Sequence, residues 1–199
     1  MKKRVMLYFG SFNPVHRGHI ALCEYVIEQG LCDEVALVVS PHNPLKEATG
    51  LAPEFERFTM TELATKESKY PDRIKASIIE FLLEKPSYTL NTLDYLTANH
   101  GELMEFSILM GEDNLAIIDK WRDYQTILTD FKVYVYPREG VDATRFIDCV
   151  TVLHDAPLHN FSSTSVREAL VKGVSVKEMI HPSVEKHIKD SGLWKQAIK

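Results

Sequence analysis

Val5-Met6-Leu7-Tyr8-Phe9-Gly10-Ser11-Phe12-Asn13-Pro14-Val15-His16-Arg17-Gly18-His19 carries three structural signals in one short run. The apolar stretch Val5–Phe9 reads as a buried strand. Gly10 and Pro14 mark a turn. Beyond it, Ile20, Leu22, Val26 and Ile27 recur at helical spacing, so the segment predicts a strand, a tight turn and the start of a helix. A helix start exposes unpaired backbone N–H groups and the positive end of the macrodipole, which suits a phosphate. His16 and His19 are three apart and share one face of that helix. Gly18 between them lets a large group approach the backbone.

The same alternation extends outward along the chain. Glu34–Val39 is a second apolar run, followed by the turn-rich Ser40-Pro41-His42-Asn43-Pro44. A helical stretch from Pro53 carries Phe55, Phe58, Met60, Leu63 and Ala64, and Arg73–Ile78 is a weaker strand candidate. Thr89–His100 has helical spacing, Glu105–Met110 is a strand ending at Gly111, and Lys132–Tyr136 is a strand stopped by Pro137. Val150–Leu153 is a last short strand. From Asn160 onward the pattern is helical. Ser165-Val166-Arg167-Glu168 reads as a capping box, with Ser163 or Thr164 as other possible caps. Ser183–Ser191 forms a second helix ended near Gly192.

Strands alternating with helices imply βαβ crossovers and a parallel sheet. The expected fold class is α/β, a Rossmann-like doubly wound parallel sheet with a helical C-terminal segment. Residues 1–199 are expected to form a single domain, with 160–199 as that segment. Ligands of such sheets bind beyond the carboxyl ends of strands. The segments after Phe9, Val39 and Met110 all lie there, which predicts one shared cleft.

Composition narrows the function classes. A net charge of −5 with no basic run longer than Lys2-Lys3-Arg4 argues against nucleic acid as the main partner. At 45% hydrophobic and 26% charged residues the chain can bury a full core. Cys23, Cys32 and Cys149 form no C-x-x-C pair or disulfide framework, which points to a reducing cytoplasm. The apolar run after the N-terminal basic residues stops at Gly10, so neither a secretory signal nor a membrane span is expected. There is no G-x-G-x-x-G fingerprint and no Walker G-K-[ST], which disfavours a dehydrogenase and a P-loop NTPase. No carboxylate or cysteine stands at ligand spacing from His16 and His19, so no metal bound by protein side chains is expected.

Far downstream, Phe161-Ser162-Ser163-Thr164-Ser165-Val166-Arg167 places four hydroxyls and a fixed charge at a helix start, a second candidate anion site. With Gly10-x-Phe12-Asn13-Pro14-x-His16-x-x-His19, the pattern Ser163-Thr164-x-x-Arg167 resembles the nucleotidyltransferase superfamily. Within it the chain is most similar to nicotinate-nucleotide adenylyltransferases. Further segments carry that resemblance: Pro86-Ser87-Tyr88-Thr89, Met110-Gly111-Glu112-Asp113-Asn114, Trp121-Arg122-Asp123-Tyr124, and Gly192-Leu193-Trp194.

The resemblance implies that His16, His19 and Arg167 are catalytic. Gly10, Ser11, Phe12, Lys46, Gly111, Asp113, Ser163 and Thr164 would bind ATP. Thr89, Trp121 and Arg122 would border the acceptor ring. It implies adenylyl transfer from ATP, carried with Mg²⁺, to nicotinate mononucleotide, giving deamido-NAD and pyrophosphate, with no membrane partner. A same-fold transferase acting on nicotinamide mononucleotide or phosphopantetheine is the nearest alternative, and a nucleotide-binding sensor the non-enzymatic one. Two departures stand out. Ser11-Phe12-Asn13 replaces the family's Thr-Phe-Asp, and Pro44-Leu45-Lys46 replaces its usual Pro-His-Lys. His42 and Lys46 flank a turn that can approach substrate, whereas His100, His154, His159, His181 and His187 are read as surface or capping residues.

Overall fold

In the computed structural model, which describes residues 1–41 and 50–195, the first six apolar runs become the strands of one sheet. β1 (Lys3–Gly10) leads through α1 (Arg17–Glu28) to β2 (Glu34–Val39), and α2 (Glu54–Lys66) leads to β3 (Ile74–Ser77). The short α3 (Ile79–Leu82) and α4 (Thr89–His100) then carry the chain to β4 (Met104–Gly111). After it come α5 (Glu112–Leu115), a 3-10 turn at Ile118–Lys120, α6 (Tyr124–Asp130) and β5 (Lys132–Tyr136). A second 3-10 segment, Thr144–Cys149, precedes β6 (Thr151–Val152), and α7 (Ser163–Val171) and α8 (Pro182–Ser191) close the chain.

The strand order is β3-β2-β1-β4-β5-β6, and every adjacent pair is parallel. This is the doubly wound order, with its reversal between β1 and β4, where an open sheet leaves a crevice. β1 is central, and Val5, Met6, Leu7 and Tyr8 are all buried. Strand alternation sends them to opposite faces. Met6 and Tyr8 join a core with Ile20, Val26, Met60 and Val184. Val5 and Leu7 join a second core with Leu93, Ile108 and Ile127. Two-sided burial explains why the strands read as continuous apolar runs. Full burial of each such side chain stabilises the fold by roughly 1.5–3 kcal/mol.

No helix among the described residues is long and apolar enough to cross a membrane. The weak strand candidate at 73–78 is β3, at the sheet edge. The expected capping box at Ser165 is displaced. Ser162 is the N-cap of α7: its hydroxyl accepts from the Ser165 N–H at 3.2 Å, and Ser165 Oγ lies 2.7 Å from the Ser162 N–H. With four hydroxyls in a row each satisfies the local rule, and docking of the helix decides between them.

Candidate active site

The turn after β1 is built for close approach. Gly10 ends the strand, and a Cβ there would stand 2.9 Å from the Phe12 ring. Phe12 adopts φ +44°, a left-handed backbone that bulky residues rarely take. Its buried ring is held edge-on against Tyr8 and His19. Asn13 is buried and fastens the turn sideways. Its Oδ1 accepts from the Ala52 N–H and its Nδ2 donates to the Gly50 carbonyl, both at 3.0 Å.

His16 sits at the N-cap of α1 in extended backbone, and His19 stands one turn in. Their rings stack 3.6 Å apart at 20°. The His16 backbone N–H donates to His19 Nδ1 at 3.1 Å. An accepting Nδ1 carries no proton, so the neutral His19 ring has its N–H at Nε2. Gly18 keeps the space beside them open: a Cβ would lie 3.1 Å from His16 Nδ1 and 3.2 Å from the His159 ring, so those rings would have to shift.

Burial, with the nearby Arg138 and His159, lowers the His16 pKa to about 3. Burial, His16 and Arg138 push His19 well below its ordinary value. Both rings are therefore neutral at pH 7 and act as hydrogen-bond donors, not cations. Between about pH 6 and pH 4 the unfolded chain binds protons at these positions that the folded chain refuses. Stability is then full above the ordinary histidine pKa of about 6.5 and is lost as pH falls toward the folded value. We expect His16→Gln to flatten that loss by up to about 1.4 kcal/mol per pH unit, read from urea midpoints at pH 7.5, 5.5 and 4.5. Parallel curves for the two proteins would contradict a neutral buried His16.

The distant hydroxyl–arginine segment meets this turn directly. Ser163 Oγ donates to the Pro14 carbonyl at 2.8 Å, and Arg167 Nη1 donates to the Asn13 carbonyl at 2.8 Å. Arg167 Nη2 donates to Thr164 Oγ1 at 3.2 Å. The Ser163 proton is thus directed at the turn, while Thr164 is exposed. His16, His19, Thr164 and Arg167 line one cavity of about 540 Å³, together with Gly10, Ser11, Phe12 and Asp113.

Opposite them stands Arg138, which sequence reading missed. Its guanidinium lies 3.5 Å from Asp113 Oδ1, 3.3 Å from Tyr136 Oη and 5.2 Å above the Tyr136 ring. Tyr136 Oη in turn meets Tyr8 Oη at 2.9 Å. Gly111 leaves room for the Asp113 carboxylate, since a Cβ there would force Asp113 Oδ1 to move. The available signal was a cation two residues beyond the end of a strand.

Thr89, Trp121 and Arg122 gather in a neighbouring cavity of about 280 Å³, which shares Gly10, Ser11, Ser40 and Asn114 with the first. Trp121 is half-buried there, and the Arg122 guanidinium lies 5.2 Å over the Tyr88 ring. Thr89 opens α4, so the helix's unpaired N–H groups face the same region. Of the sequence-predicted residues, Lys46, like His42, lies outside the described residues; Gly111 ends β4 beside Asp113 without lining either cavity, and the rest line these two joined cavities. His159 is exposed, and its ring lies 5.1 Å from that of Phe161 at the cleft, tilted by 44°. His187 is half-buried against Glu56 at 2.6 Å. Among the described residues no group of three or more His, Cys, Asp or Glu is placed to hold a metal ion.

Comparison with known proteins identifies the family and the fold. Residues 7–169 match the family described as cytidylyltransferase-like. A Flavobacterium psychrophilum protein named "Probable nicotinate-nucleotide adenylyltransferase" is 39% identical over 196 residues, covering 97% of this chain and all of that one. A Bacteroides fragilis protein of the same name is 40% identical, covering 94% of this chain and 92% of its own. Among solved structures, Plasmodium falciparum nicotinic acid mononucleotide adenylyltransferase complexed with NaAD superposes with a TM-score of 0.82. It covers 96% of this chain and 97% of that one at 17% identity, a likeness of fold.

Proposed function

The chain belongs to the nicotinate-nucleotide adenylyltransferase family, and from that premise we propose how it moves the adenylyl group of ATP onto nicotinate mononucleotide. The triphosphate lies in the larger cavity, between the first turns of α1 and α7. The pyridine ring enters the smaller one against Trp121. Residues 1–199 work as a single nucleotidyltransferase unit, with 160–199 supplying the second phosphate-binding segment.

The acceptor's phosphate has a second pKa near about 6, so its oxygen is already anionic at neutral pH. No general base is required. That oxygen attacks the α-phosphorus, the bond to the β-phosphate oxygen breaks, and pyrophosphate leaves with the electron pair. The protein's task is to hold two anions together and to stabilise charge on the transferring and departing groups. His19 Nε2–H and His16 donate from one wall. Arg167, Thr164 and the α7 N-terminus donate from the other. Mg²⁺ arrives as part of the ATP substrate and neutralises its phosphate oxygens. Gly10, Ser11 and Phe12 offer backbone donors at the turn. Asp113, beside Gly111, accepts from the ribose hydroxyls, and Thr89 and Arg122 flank the ring, largely through backbone N–H groups.

The observation that carries this reading is the pair of hydrogen bonds from Ser163 and Arg167 to the Pro14 and Asn13 carbonyls. They bring two phosphate-suited helix starts, remote in sequence, to one turn. The test is to incubate the protein with ATP and Mg²⁺ and measure pyrophosphate. The acceptors offered are nicotinate mononucleotide, its amide, phosphopantetheine and FMN. Nicotinate mononucleotide is expected to give the highest kcat/KM. No pyrophosphate with any of them would support the sensor reading instead.

Trp121→Ala tests the ring's position. Stacking of a base on an aromatic side chain contributes about 1–3 kcal/mol, so the KM for nicotinate mononucleotide should rise roughly 5- to 150-fold. The KM for ATP should stay nearly unchanged. Equal increases for both substrates would remove Trp121 from the acceptor pocket.

A further inference from the structure

Two buried polar atoms at the Trp121 cavity have no hydrogen-bond partner among the described residues. Glu80, on α3, is only 2% exposed, and its Oε1 receives a hydrogen bond from Thr92 Oγ1 at 3.3 Å. Its Oε2 is buried without a partner among the described residues, and so is Ser87 Oγ. Both residues line the cavity that holds Thr89 and Trp121. A buried polar atom left unpaired is unfavourable, and two in one ligand-sized space call for a ligand that completes them.

We propose that Glu80 reads the ring substituent of the acceptor: Oε2 and the substrate's carboxylate share one proton, with the Ser87 hydroxyl donating to the same carboxylate. This rests on the acceptor ring occupying the Trp121 cavity. Two carboxylates at hydrogen-bond distance cannot both ionise, so one proton is retained between them. An amide acceptor needs no such proton, because its N–H group donates to an ionised Glu80. The pair therefore distinguishes acid from amide in a pH-dependent way.

The surroundings of Glu80 favour a retained proton. Burial raises its pKa, offset in part by the nearby Ser40 hydroxyl and the Thr92 hydrogen bond. Ser40 follows β2 and Thr92 lies on α4; both are neutral. Among the described residues, the other charged side chains lining the cavity are Lys120 and Arg122, and both are exposed.

The experiment compares kcat/KM for nicotinate mononucleotide and for its amide from pH 5.5 to 9. Both acceptors carry the same phosphate, so its titration cancels in the ratio. The acid-to-amide ratio should fall as pH rises past the Glu80 pKa, approaching tenfold per unit. In Glu80→Gln, whose amide donates at every pH, the ratio should be flat. Calorimetry of the unmodified protein in buffers of different ionisation enthalpy supplies a readout that needs no variant. Above the Glu80 pKa, acid binding should take up about one more proton than amide binding. A flat ratio with equal proton counts overturns the proposal, as does a slope that survives Glu80→Gln. Trp121→Ala separates this from failure of the pocket itself. If the ring lies elsewhere, that variant leaves the KM of both acceptors unchanged. If only the Glu80 assignment fails, both KM values rise and the ratio shows no dependence on Glu80.

Discussion

His19→Ala should lower turnover at least ~100-fold while changing the KM for ATP little, the magnitude seen when one preorganised donor to a developing oxyanion is removed. The reason is geometric. The His16 backbone N–H bonds to His19 Nδ1, so the neutral ring presents its only proton at Nε2, and stacking on His16 at 3.6 Å fixes its plane. A donor positioned before reaction costs no reorganisation when charge moves onto the departing pyrophosphate. ATP has other anchors, at Arg167 and at the helix starts, which is why ground-state binding should survive. The measurement is steady-state pyrophosphate release, with circular dichroism to show that the variant is folded. Turnover within a few fold of the parent would remove His19 from the reaction. A matched rise in KM would make it a binding residue only.

How far such a role could be read from the chain depends on the kind of information each residue carries. Spacing alone put His16 and His19 side by side, because an i, i+3 relation is local, although His16 is the extended N-cap of α1 and only His19 is helical. Their neutral state was not legible, since it follows from burial and from Arg138, which arrives from β5. The strands were legible because burial on both faces leaves continuous apolar runs such as Val5–Tyr8. The α3, α5 and 3-10 turns were not, because segments of three to six residues have too few turns to show a period. The cap of α7 was misplaced for a different reason. Ser162 to Ser165 are locally equivalent, and the bond from Ser163 to Pro14 breaks the tie only once the turn is in place. Glu80 and Arg57 gave no signal, because their burial and their partners, the Thr92 hydroxyl for one and four loop carbonyls for the other, are brought together only by the tertiary fold.

Arg57→Met should destabilise the fold by about 3 kcal/mol or more. For a chain of this size that lowers Tm by roughly 6–12 °C. Arg57 is 1% exposed, and among the described residues its guanidinium bonds only to backbone carbonyls. Nη1 donates to Ser11 and Ser40, each at 2.7 Å; Nη2 donates to Pro41 and Nε to Ala52, each at 3.0 Å. Those carbonyls belong to the loops leaving β1 and β2 and to the segment entering α2, so one side chain fixes three walls of the cleft. Methionine preserves much of the stem's volume and leaves four acceptors unpaired, and a buried acceptor without a donor costs more than the bond contributed. Arg57→Lys keeps a cation and up to three donors but cannot reproduce the planar fork. It should recover part of the stability, with KM for ATP still raised because the Ser11 backbone is no longer held. If catalysis and stability were separable here, Arg57→Met would melt early yet turn over normally at 15 °C, well below its transition. We expect turnover to remain low there, because the residue that braces the loops also sets the position of the phosphate-binding turn.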